Sequence, residues 1–213
     1  MKNKNEIKKI EIYDGASVFY GANQYWFKKK LSAISGCGPT TASVAMAYLA
    51  ATSQSARQLY PYELPFNKDE FLEFMEDVRL SIKPKFGPMT DPDDFCRKCV
   101  DYAKGKTVDI SYEIMDKSQT TDEVFDKITQ LIDEGILPAL LILRNPHKEI
   151  DEYTWHWMTI TGYIRDKKEL IIATYGTRVK MDFTKAWNNN KPYVTDVVWF
   201  VQENYSSKKL NMI

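Results

Sequence analysis

Ser35-Gly36-Cys37-Gly38-Pro39-Thr40 sets a cysteine between two glycines, directly before a run rich in Ala, Val, Met and Leu that continues to about Ala51. Pro39 suits the first turn of a helix, because its φ is already helical and the N–H it lacks would have no intrahelical acceptor there. The apolar content of the run marks that helix as buried. Cys37 therefore stands where unpaired backbone N–H groups and the positive end of a helix dipole favour a thiolate. Its glycine neighbours leave the backbone open to a substrate, and the Cys37 N–H can donate to an oxyanion. The competing reading is a small cysteine packed at the start of a core helix, cysteine being among the most buried residue types.

A thiol that needs an imidazole to take its proton has two choices in this chain, His147 and His156. His147 lies in the polar stretch Asn145-Pro146-His147-Lys148-Glu149, where an exposed, inert histidine is the ordinary expectation. His156 falls in an extended segment, Thr154 to Ile164. Strand alternation puts it on the same face as Met158 and Ile160, the face expected to pack on the Cys37 helix. Trp155 and Trp157 then lean to the opposite face, as packing residues.

The motif Gly36-Cys37-Gly38-Pro39-Thr40 with its Ala-rich helix, Gln24 upstream, and His156-Trp157-Met158-Thr159-Ile160-Thr161-Gly162-Tyr163 downstream resembles the C39-like branch of papain-like cysteine peptidases. That branch includes the bacteriocin leader-processing peptidases. The resemblance implies an α+β, papain-like fold with Cys37 as nucleophile, His156 as base and Gln24 as a side-chain donor to the oxyanion. Asn23 is a neighbouring amide capable of the same task. The family usually orients its histidine with an Asn or Asp just before a Trp-Gly, whereas the matching stretch here is Ala173-Thr174-Tyr175-Gly176. Ala173 has no side-chain acceptor, and Thr174 offers only a neutral hydroxyl, a weaker orienter than a carboxylate. Pairing Met158 with Thr174 aims Thr174 at the site, while a one-residue shift aims Ala173 and Tyr175 there. Asp182 and Asn188 are more distant substitutes, and Tyr175 is a candidate wall of the substrate cleft.

The rest of the chain fits one α+β domain over residues 1–213, with helices early and a mostly antiparallel sheet late. Helical spacing of Phe71, Leu72, Met75, Val78 and Ile82 predicts a helix from Asp69, ended by Pro84. Further helices are predicted from Asp91 to about Lys104 and from Thr121 to Glu134, the last with Thr120 and Glu123 spaced as a capping box and Gly135 as terminator. Strands follow at Val108–Met115, Leu137–Arg144, Thr154–Ile164, Glu169–Tyr175, Arg178–Phe183 and Thr195–Gln202.

Lys plus Arg equals Asp plus Glu at 29 each, so no overall field favours nucleic acid or an anionic membrane. Lys28-Lys29-Lys30 is a short basic cluster that reads as solvated surface near Gln24. No apolar run approaches the length of a bilayer span, and the start of the chain lacks the apolar stretch of a secretory signal, so a cytoplasmic protein is expected. Cys96 and Cys99 form a CxxC without a second pair, which predicts helix packing in preference to a zinc site or a redox pair. No motif implies a metal or other cofactor. The expected partner is a peptide or amide substrate, its acyl group passing from Cys37 to water. Transfer to an amine or thiol acceptor by the same pair, and a catalytically silent binding domain on the same scaffold, are the alternatives.

Overall fold

The computed structural model describes residues 2–82 and 89–202. Three short strands open the chain, β1 (Lys4–Glu6), β2 (Glu11–Asp14) and β3 (Ser17–Tyr20), followed by a 3-10 turn at Gln24–Trp26. Then come α1 (Lys30–Ile34), α2 (Cys37–Thr52), β4 (Phe66–Asn67), α3 (Lys68–Ser81) and α4 (Pro92–Gly105). The second half holds β5 (Ile110–Ile114), α5 (Thr121–Asp133), β6 (Ala139–Arg144), β7 (His156–Ile164), β8 (Glu169–Thr174), β9 (Thr177–Asp182), α6 (Phe183–Ala186) and β10 (Val194–Gln202).

Local chemistry explains the helix starts. Asn67 caps α3 by accepting from the Asp69 and Glu70 N–H groups, and Asp91 caps α4 just before Pro92. Thr120 and Glu123 close the capping box of α5, and Gly135 follows that helix at φ +76°. Helix α3 stops at Ser81, and Pro84, expected to end it, lies outside the described residues. Helix α2 is buried on nearly every side, which is why its sequence shows no polar stripe.

The main sheet runs β5-β10-β6-β7-β8-β9, all antiparallel, with β1 added to the far end of β7; β3-β2-β4 form a separate small sheet. On one face Ala139, Leu141, Trp157, Ala173, Val198 and Phe200 pack with α2, α3 and α4. On the other, Leu140, Ile142, Met158, Ile160, Leu170 and Ile172 pack with α5 and α6. The architecture is therefore α+β, with the Cys37 helix packed on an antiparallel sheet as expected.

Two expectations are corrected by this layering. Met158 and Ile160 face α5, not the Cys37 helix, because α5 supplies an apolar stripe that covers that side. Trp157 is the residue that faces α2: it is fully buried, stacks on Phe95 at 4.0 Å and donates from Nε1 to the Met89 carbonyl at 2.8 Å. The early strands β1–β4, the short helices α1 and α6, and several 3-10 turns are not legible in the pattern, since segments this short hold at most about two periods, too few to establish a repeat.

Gly162 sits where β1 crosses β7. A Cβ there would lie 2.4 Å from the Asn5 carbonyl oxygen and 3.0 Å from the Glu6 Cα, both backbone atoms that cannot swing aside. Gly162→Ala is expected to cost about 2 kcal/mol by overpacking, or roughly 4 to 8 °C in Tm for a chain of this size. A thermal melt with unchanged Tm would show that β1 does not hold this position in solution.

Candidate active site

Cys37 is the first residue of α2, and two neighbours hold the turn that presents it. A Cβ on Gly36 would meet the Ser32 carbonyl at 2.3 Å and the Phe27 ring at 2.7 Å, so only glycine lets the chain enter the helix here. The thiol is 4% exposed and lies 3.8 Å from the Trp155 carbonyl, to which it donates. Burial raises its pKa above the ordinary thiol value, partly opposed by the backbone N–H groups of Trp157, Gly38 and Cys37 itself. In this closed arrangement the group is a thiol, not a thiolate, at neutral pH.

His156 opens β7 immediately after Trp155, whose backbone is left-handed at φ +59°. The β7–β8 ladder pairs Thr159 with Ala173, which sets the register that brings Met158 opposite Thr174, and it stops there. His156 and Thr174 consequently meet at the strand ends, with His156 Nε2 2.7 Å from Thr174 Oγ1. With the proton on Nε2, Thr174 accepts, and Nδ1 keeps the lone pair a general base requires. Burial pushes the imidazole pKa down to about 4, so the ring is neutral at pH 7.

Tyr175 covers one face of that ring, stacked at 4.7 Å and 13°, and Tyr25 stacks on Tyr175 at 5.7 Å and 13°. Tyr175 and Gly176 both have positive φ and form the two-residue hairpin turn between β8 and β9, a backbone that suits a right-handed sheet twist. Asn23 pins the turn, its Nδ2 donating to the Tyr175 carbonyl at 2.9 Å, while its Oδ1 accepts from the Tyr25 N–H.

Gln24, Cys37, His156, Thr174 and Tyr175 line one chamber of about 10 Å³, together with Thr40, Thr41, Trp157 and Thr159. Gln24 is brought to the site, but its Nε2 donates to the Ala33 and Ile34 carbonyls at 2.9 and 3.4 Å, closing the end of α1. Asp182 and Asn188 are not part of the chamber: Asp182 caps α6, and Asn188 accepts from the Asn190 N–H. His147 and the Lys28–Lys30 cluster also lie outside it. Cys96 and Cys99 are fully buried in the core with thiol pKa values raised by desolvation, as packing residues should be. A larger cavity of about 570 Å³ lies toward the other end of α2, between Ala45, Tyr48, Leu49, Leu137 and Phe200, and contains none of the paired groups. Among the described residues no helix is long and apolar enough to cross a membrane.

Sequence reasoning missed the left-handed Trp155 and the use of its carbonyl as the partner of the thiol. Nothing in the residue type signals either, because tryptophan has no preference for that conformation. It also missed Thr40, whose spacing one turn after Cys37 was available as a clue.

A sequence profile described as the Peptidase_C39 like family matches residues 20–195, a span that contains every chamber residue named above. No curated protein matches the chain.

Proposed function

The chain belongs to the Peptidase_C39 like family, and on that premise we propose that it is a thiol-dependent hydrolase of peptide or amide bonds, acting as one domain through a Cys37 acyl-enzyme. The observation that carries this reading is the His156–Thr174 hydrogen bond of 2.7 Å within the chamber that holds Cys37. With the proton on Nε2, that bond leaves Nδ1 with the lone pair that takes the thiol proton. His156 receives that proton as Cys37 attacks the carbonyl, then gives it to the leaving amine. The Cys37 N–H holds the oxyanion, joined by the Gln24 amide once substrate draws it from the α1 carbonyls. Tyr175 walls the acyl-binding side. Three free cysteines suit a reducing, cytoplasmic setting. No metal or other cofactor takes part in this scheme.

The reactive pair in this arrangement is thiol and neutral imidazole, not an ion pair. The active form therefore exists between the imidazole pKa of about 4 and the raised thiol pKa. The expected profile of kcat/KM has an acid limb near pH 4 and no decline through pH 8, measured on a panel of peptidyl esters and amides. An acid limb near 6.5 would mean that His156 works in a solvated site.

One observation favours the silent-scaffold reading: burial opposes both charged forms, and Thr174 supplies no charge to compensate. Alkylation by iodoacetamide, with the modified residue located by peptide mapping, separates the two. Labelling of Cys37 at pH 7 that is lost in His156→Ala supports the hydrolase. Equal, slow labelling of both proteins that rises only above the ordinary thiol value of about 8.5, as burial of Cys37 requires, supports the binding domain.

A further inference from the structure

We propose that Thr40 is a water-positioning residue of this site, its hydroxyl holding the water that hydrolyses the acyl-enzyme; the inference rests on the hydrolase reading above. Thr40 lies one turn after Cys37 on the same face of α2, and its Cα–Cβ bond leans toward the helix N-terminus and so toward the thiol. It is 8% exposed and lines the chamber shared by Cys37 and His156. Its Oγ1 has no hydrogen-bond partner among the described residues.

Other hydroxyls of the same helix satisfy themselves locally. Ser43 Oγ donates to the Pro39 carbonyl at 2.8 Å, and Thr52 Oγ1 to the Tyr48 carbonyl at 2.7 Å, each four residues back. The equivalent acceptor for Thr40 is the Gly36 carbonyl, which is taken by the Thr40 backbone N–H at 2.9 Å, and the Thr40 hydroxyl does not join it. A buried hydroxyl left in this way requires a partner from the chamber.

The chamber can supply one. Its volume of about 10 Å³ corresponds to roughly one water molecule. Besides Thr40, its wall includes the Thr41 and Thr159 side chains and the His156 ring, enough polar groups for the two to four partners a buried water makes. In deacylation the oxygen of this water attacks the thioester carbonyl while its proton passes to the neutral His156. The C–S bond then breaks, the Cys37 sulfur takes the proton back from the imidazolium, and the acyl group leaves as a carboxylic acid. The acylation half-reaction uses no water and makes no demand on Thr40.

The test is a pre-steady-state comparison of wild type, Thr40→Val, Thr40→Ser and Cys37→Ala with an activated peptidyl ester. Thr40→Val keeps the shape and removes the hydroxyl. It should retain the burst of acylation, accumulate acyl-enzyme visible by mass spectrometry, and deacylate about tenfold or more slowly. Thr40→Ser should deacylate at close to the wild-type rate, and hydroxylamine, which brings its own nucleophile, should restore turnover to Thr40→Val. Its Tm should stay close to that of wild type, since the hydroxyl makes no hydrogen bond to another residue. Wild-type deacylation in Thr40→Val, or loss of the burst with it, overturns the role of Thr40 while leaving the hydrolase reading intact. A wild-type burst that persists in Cys37→Ala overturns both.

Discussion

Cys37→Ala and His156→Ala each lower turnover by about 10³-fold or more, and the double variant is scarcely worse than either alone. The reason is that, in the proposed mechanism, the two side chains perform one act. The Cys37 thiol is buried and its pKa raised, so it supplies almost no thiolate by itself at pH 7. Only a base in the same chamber can remove its proton as the carbonyl is attacked. In the proposed mechanism His156 is that base: its ring is neutral, held by Thr174 on one nitrogen and stacked by Tyr175 on one face. Single-turnover kinetics on the same ester panel reads the loss, and near- and far-UV circular dichroism checks that the fold survives. Additive losses in the double variant would show that Cys37 and His156 act independently, and full activity in either single variant would remove the pair from the mechanism.

The second large effect is on stability against acid. His156 has a folded pKa of about 4 against an unfolded value near 6.5. Between those values the unfolded chain binds a proton that the folded chain refuses, so stability rises with pH across the window. Above pH 6.5 the ring is neutral in both states and imposes no penalty. As pH falls from 6.5 to 4 the fold loses about 3 kcal/mol from this one residue, and below pH 4 no more is lost through it. His156→Gln retains a polar side chain and removes the titration, so its urea midpoint should vary far less between pH 7 and 4 than that of wild type. Parallel pH dependence in the two proteins would refute the buried, neutral imidazole. Exposed carboxylates with lowered pKa values, such as Asp93 and Glu149, add acid sensitivity of their own, but they are common to both proteins.

Much of the site was legible because its parts carry local signals. Gly-Cys-Gly-Pro before an apolar run announces a helix with a cysteine at its start, and the capping pair of Thr120 and Glu123 lies at the start of the helix it begins. The β7–β8 register, open in the sequence, is settled by the Thr159–Ala173 pair, and it delivers Thr174 to His156 in place of the usual Asn or Asp.

The sequence by itself determined the candidate nucleophile and base, the α+β class, and the family, since each depends on residue types at short range or on an ordered motif. Only the tertiary structure decided which layer covers each sheet face, which neighbour orients the imidazole, and that both reactive groups are buried in their neutral forms. Alternation along a strand says which side chains share a face, but not whether α2 or α5 will pack there. Likewise, a pKa follows the water and dipoles around a group, and for Cys37 and His156 those surroundings come from segments more than a hundred residues apart in the chain.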